Sequence, residues 1–190
     1  MTATPPTAGR SEHFRALVIG AQLALAFACA IVVTPRQAFA QESSGVSATH
    51  VLSRVVLDPT TYVPTLIAYR TTMRDWDTSQ VFFQHGYVER NDRFTTSGLP
   101  NDVAVGYSEG RRRILNDALL TLGASAAQNA ASRAAEDYLA GRFPQHKRLV
   151  KTIGWVQRCT FASYVSYHLS ITHYRQTQYN VALARSSGYR

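Results

Sequence analysis

The chain has 190 residues and a formal net charge of +8 at pH 7, with 20 Lys and Arg against 12 Asp and Glu. Its length is that of one ordinary domain preceded by a leader. The positive charge is not accompanied by an RNA-recognition, helix-turn-helix or zinc-finger pattern, so nucleic acid is excluded as an expected partner.

Residues 1–40 have the three parts of a secretory signal peptide. Arg10 and Arg15 precede the apolar run 16–33, and an A-x-A motif follows at 38–40. This order predicts export to the periplasm or cell envelope, with cleavage after Ala40. The apolar run also reaches the roughly 17 residues that a membrane span needs. An uncleaved anchor therefore stays open as an alternative, and it would be the chain's one contact with a membrane.

Export and the excess of arginine together suggest the class of partner that the protein binds. A guanidinium group binds the oxygens of carboxylates and phosphates. We therefore expect an envelope protein or an anionic envelope component as partner. Cleavage would leave Cys159 as the only cysteine, so the domain must hold together by packing and without an intrachain disulfide.

Residues 41–57 lead into the domain. They begin rich in Ser and Gly and end in the apolar run VLSRVVL at 51–57. The composition predicts a flexible leader followed by a short extended arm, and residues 58–190 are then the helical domain.

A long helix is predicted to begin after Asp58. Asp is a favoured N-cap residue, and Pro59 at the first helical position sacrifices no hydrogen bond. Gly86 is predicted to end this helix at a position of positive φ. One apolar stripe with alternating steps of four and three is formed by Tyr62, Leu66, Tyr69, Met73, Trp76, Gln80 and Phe83.

The connection that follows is rich in turn signals. Residues 87–107 contain Asn-Asp, Ser-Gly and Leu-Pro pairs. A loop of this length is uncommon in a compact domain unless it is ordered. We expect one long ordered loop with a short β segment at 93–96.

A second helix is predicted from Ser108 as N-cap to Gly141, with Pro144 opening the next helical region. Ile114 lies on its apolar face. Further along, Ala127 and Ala131 belong to a face of small residues that would let another helix approach closely. Burial of this small face against a neighbouring helix is therefore expected.

The third helical region covers residues 145–184. As one helix it would be about 60 Å long at ~1.5 Å per residue, so a bend or break is expected, most simply at Gly154. The predicted fold is all-α, a small bundle of three to four long antiparallel helices after the signal segment. If the last helix is continuous, it runs parallel to the first long helix, and their polar C-terminal halves meet.

The polar residues at this end form a candidate ligand-binding site. Its members are Trp76, Gln80, His85, Arg111, His173, Gln176 and Asn180. If the chain reverses at Gly154 instead, these residues lie far apart. A structural alternative also stays open, in which the polar groups satisfy one another and fix the helix register. Asp75 and Asp77 point to different faces and are interpreted as solvated charges.

Metal, cofactor and catalytic patterns are absent from the sequence. His168 and His173 are five residues apart and would point about 140° apart on a helix, so no metal site is predicted. No cofactor is predicted, and no nucleophile motif occurs.

The sequence favours an exported binding or interaction module. One alternative is a small periplasmic enzyme with His173 or His85 as base and Arg111 or Arg175 holding an anionic substrate. A membrane-anchored structural protein is the other.

Overall fold

The computed structural model describes residues 48–189. The predicted signal segment and residues 41–47 lie outside this range. Four α-helices make up most of it: α1 (Ala48–Val56), α2 (Pro59–Gln84), α3 (Tyr107–Arg142) and α4 (Lys147–Ser186). The all-α prediction is confirmed for the described residues. None of their helices combines the length and the apolar character that crossing a bilayer requires.

The extended arm predicted at 51–57 is wrong, because the chain is helical there. Val51 and Val55 are buried and one helical turn apart, so they share a face. β-branched residues favour strands only weakly, and packing of this face overrides that preference. On the same helix Arg54 reaches Asp137 near the end of α3, with 2.8 Å between Nη1 and Oδ1.

Both predicted ends of α2 are confirmed. The side chain of Asp58 caps the helix by accepting a hydrogen bond from the backbone N–H of Thr60 at 3.1 Å, and Pro59 is the first helical residue. Gly86 follows the helix with φ 81°, the left-handed conformation that glycine adopts readily.

The predicted apolar stripe of α2 is right only in its C-terminal half. Trp76 is 4% exposed, whereas Leu66 is 57% exposed. Thr61 is buried in place of its neighbour Tyr62, and its hydroxyl accepts a hydrogen bond from Asn129 of α3 at 2.7 Å. The N-terminal half of α2 therefore packs through Thr61, Pro64 and Ala68, which lie off the predicted stripe.

The loop between α2 and α3 is ordered by apolar side chains that it sends into the domain. Phe94 and Val105 pack with Trp76 and Ile114 in the hydrophobic core. The β segment expected at 93–96 is wrong: Asp92–Phe94 form a 3₁₀ turn, and only single bridges join Glu89 to Asp102 and Thr95 to Ala104.

Two details of α3 differ from expectation. The helix begins at Tyr107, with Gly106 as N-cap and no side-chain cap, so Ser108 lies inside it. Ala127 and Ala131 are exposed, and the buried positions at this level include Ser125 and Asn129. The expected burial of the small face is therefore wrong, because polar residues make the helix contacts there.

The chain does not break at Gly154: α4 is one helix of 40 residues, so of the two alternatives the continuous last helix is confirmed. Gly154 is buried against the side chain of Glu136, which occupies the space that a Cβ would need. The glycine thus permits a close helix approach. Contacts join Asp58 to Arg158 and Ser79 to Asn180, so α2 and α4 run parallel, each antiparallel to α3.

Candidate functional site

A pocket of about 650 Å³ lies between the C-terminal halves of α2 and α4. The first residues of the loop after α2 close one side of it. Its walls combine carboxylates, amides and aromatic rings. The lining includes Thr72, Asp75, Trp76, Ser79, Phe82, Phe83, Tyr87, Glu89, Arg90, Asn91, Phe94, His173, Gln176, Tyr179, Asn180 and Leu183.

An oriented imidazole lies in the polar wall. His173 Nδ1 is 2.8 Å from Asp75 Oδ2, and the His173 side chain is 27% exposed. Asn180 on the next turns of α4 donates to Ser79 Oγ at 2.9 Å and approaches the second oxygen of Asp75 at 3.4 Å. No described residue hydrogen-bonds Nε2 of His173. Asp75 therefore fixes the ring while its other nitrogen stays available to a ligand.

The second carboxylate of the polar wall belongs to Glu89. Its backbone is held by paired hydrogen bonds with Asp102, 2.8 and 3.1 Å long, and its Oε1 accepts from the N–H of Asn91 at 2.7 Å. Burial raises the pKa of Glu89, and the charge of Asp75 acts in the same direction. The backbone N–H groups of Asn91 and Arg90 and the charge of His173 act against it.

The raised pKa means that the protein compensates the charge of ionised Glu89 only in part. Within the described residues no arginine, lysine or histidine forms an ion pair with it. A half-buried carboxylate of this kind is stabilised by a cation from outside.

Aromatic rings also line the pocket. The ring of Trp76 lies 5.6 Å from that of Phe83 and 5.3 Å from that of Phe94, both tilted. The indole N–H of Trp76 donates to the carbonyl of Tyr107 at 3.2 Å, which fixes the ring. The pocket is thus lined by both carboxylates and aromatic rings.

Four of the seven predicted site residues line this pocket: Trp76, His173, Gln176 and Asn180. The structure does not bring Gln80, His85 and Arg111 to it. Gln80 donates to the carbonyl of Trp76 at 2.9 Å. The ring of His85 stacks on Tyr189 at 3.9 Å, and the guanidinium of Arg111 lies over the ring of Tyr107 at 5.6 Å.

Sequence reasoning gave the wrong role to one carboxylate and missed the other. Asp75 is not a solvated charge, because His173 and Asn180 bind it. The signal was present, since Asp75 precedes Trp76 on a helix whose C-terminal half was predicted to meet α4. Glu89 had no local signal, because its position depends on the bridge to Asp102 across the loop.

A second polar centre lies near the other end of the bundle. Arg158 is 3% exposed and lies between Asp58 and Glu136, with 3.1 Å from its Nε to Oδ2 of Asp58. Burial favours a higher pKa for Asp58, but hydrogen bonds from Thr60 and Arg133 hold that pKa below its usual value.

Further ion pairs make this centre a network that joins all four helices. Arg54 of α1 lies 3.0 Å from Glu136, and Arg133 of α3 binds Asp58. Its cations and carboxylates face one another. We assign this network a structural role.

Comparison of the chain with protein-family models, with curated proteins and with solved structures finds no significant match. Within residues 48–189 no group of three or more His, Cys, Asp and Glu side chains is arranged to hold a metal ion. The function must therefore be inferred from the pocket itself.

Proposed function

We propose that the protein is an exported binding module whose pocket between α2 and α4 takes a small ligand with a protonated amine and an apolar body. The observation that carries this proposal is the half-buried Glu89, whose charge the protein leaves partly uncompensated beside Asp75. An ammonium group would neutralise this charge, and the aromatic rings that line the same pocket would contact the apolar part.

The distribution of charge disfavours the anionic substrate considered from the sequence. Arg111 and Arg175 are outside the pocket, and Arg90 is the arginine in its lining. Two carboxylates, Asp75 and Glu89, face the same space. An anionic group would meet repulsion there, whereas a cationic group is attracted.

Cell fractionation with N-terminal sequencing tests the export part of the proposal. The signal pattern predicts mature protein in the periplasmic or envelope fraction, beginning at Gln41. A protein that keeps its N-terminus and stays in the membrane fraction would support the anchor alternative, and an intact protein in the cytoplasm would exclude export.

Isothermal titration with three matched probes tests the ligand chemistry. We expect 2-phenylethylamine to bind and the neutral 2-phenylethanol and anionic phenylacetate to bind at least about tenfold more weakly, as a charged hydrogen bond is worth roughly 1.5–3 kcal/mol. Glu89→Gln is expected to abolish the preference for the amine. Affinity of the amine should also fall as the pH drops, since the cation favours ionised Glu89 and protonation removes that attraction.

The matched control is Asp77→Asn. Asp77 is on α2 but outside the pocket, where it accepts a hydrogen bond from the hydroxyl of Tyr107 at 2.8 Å. It should leave the preference unchanged. Equal binding of all three probes, or an amine preference that survives Glu89→Gln, would contradict the proposal.

Acid–base catalysis is a second candidate function, favoured by the contact between His173 and Asp75. A carboxylate bonded to one ring nitrogen orients an imidazole as a general base. His173→Gln separates the two functions, because it would leave binding of the amine probe largely intact but abolish turnover of a substrate. Among residues 48–189 no hydroxyl or thiol hydrogen-bonds the imidazole of His173, and we place binding first.

A further inference from the structure

The turn between α3 and α4 carries an exposed group of cations. Arg142, Lys147, Arg148 and Lys151 are all exposed, and no described carboxylate forms an ion pair with any of them. Residues 138–190 contain no Asp or Glu. This surface therefore has strong positive charge without local compensation.

Large apolar side chains are exposed on the same segment. Leu149 and Ile153 are each 58% exposed, Trp155 is 59% exposed and Val156 is 48% exposed. Leu149, Ile153 and Val156 are spaced by four and three residues and form one stripe at the start of α4. Phe143, at the turn itself, is 43% exposed. Exposed apolar residues next to cations distinguish this surface from an ordinary solvated face.

Several of these cations border one cavity. A second cavity is lined by residues 144–149 and Lys151, so that His146, Lys147, Arg148 and Lys151 all border it. No acidic side chain lines it. A hollow of this composition suits a phosphate-bearing head group.

We propose that this surface, residues 142–156, lies against an anionic lipid membrane. Its cations would contact lipid phosphates while the stripe from Leu149 to Val156 enters the interfacial region. Trp155, about 100° around the helix from Val156, would lie at the edge of this contact.

Vesicle binding followed by tryptophan fluorescence tests this proposal. The chain has two tryptophans, and Trp76 is buried, so a change on binding reports on Trp155. Vesicles containing phosphatidylglycerol should shift the emission to shorter wavelength, and pure phosphatidylcholine vesicles should not. Arg148→Gln with Lys151→Gln should weaken binding about 30-fold, the effect of two basic residues at an anionic surface.

The control variant removes the same number of charges elsewhere on α4. Arg175 and Arg185 are exposed near its other end, and replacing both by Gln should weaken binding less than about threefold. Equal weakening by both double variants would mean attraction by net charge alone and would overturn the assignment to residues 142–156. Two further outcomes would overturn it. In one, the protein does not bind vesicles but sediments as a dimer, and Ile153→Gln abolishes the dimer. In the other, the protein binds inorganic phosphate but does not bind vesicles.

Discussion

Replacing Arg158 by methionine is expected to lower the free energy of unfolding by about 3–5 kcal/mol. The methionine has a similar length but leaves Asp58 and Glu136 buried without their shared partner. Asp58 is 7% exposed and Glu136 4% exposed, so water cannot replace the guanidinium. Urea denaturation followed by circular dichroism measures the change.

The control for this prediction is Arg148→Met. Arg148 is exposed and has no ion-pair partner among the described residues, so its loss should change stability by no more than about 0.5 kcal/mol. A loss below about 1 kcal/mol in Arg158→Met would contradict the interpretation of the network as the polar centre that joins the helices.

Gly154→Ala is expected to destabilise the protein by about 1–3 kcal/mol, the usual effect of overpacking. Alanine would normally stabilise a helix interior relative to glycine by about 1 kcal/mol. Here its Cβ would overlap the side chain of Glu136. Glu136 has little freedom to move, because Arg54 and Arg158 both bind its carboxylate.

Gly123→Ala is the matched control for Gly154→Ala. Gly123 lies inside α3, and a Cβ there would meet nothing within 4 Å. We expect it to stabilise the protein by up to about 1 kcal/mol, measured by the same urea denaturation. If Gly154→Ala and Gly123→Ala stabilise equally, the close approach of α4 to Glu136 is wrong.

Local signals in the sequence predicted both ends of α2. Asp58, Pro59 and Gly86 determine backbone conformation through their own side chains or the lack of one, and the structure confirms all three. The class of the fold followed from the helical periodicity. Residues whose effects are local could thus be interpreted without knowing their neighbours.

Contacts between distant elements could not be predicted in the same way. Gly154 was interpreted as a helix break, but its role depends on Glu136, which is 18 residues earlier in another helix. Burial of Arg158 depends on carboxylates from α2 and α3. Glu89 reaches the pocket only through its bridge to Asp102. In each case the residue's environment is determined by a contact with a distant part of the chain. A short stretch of sequence around the residue therefore cannot predict it.

The two proposed surfaces lie at opposite ends of the bundle. The pocket is formed by the C-terminal halves of α2 and α4, and residues 142–156 surround the beginning of α4. A molecule lying on a membrane through that end would direct the pocket away from the bilayer. Ligand binding and membrane contact could then occur together, without competition for the same residues.

Continuity of α4 through Gly154 places His173 beside Asp75, and both proposals depend on it. Spin labels at Leu149→Cys and Gln178→Cys, with Cys29 and Cys159 both replaced by Ser, measure it by pulsed electron paramagnetic resonance. Both positions are exposed and share a face, because 29 residues are close to eight turns. A continuous helix predicts a single distance of about 43 Å at ~1.5 Å per residue. A distance near 30 Å or below, from a chain that reverses at Gly154, would contradict the account.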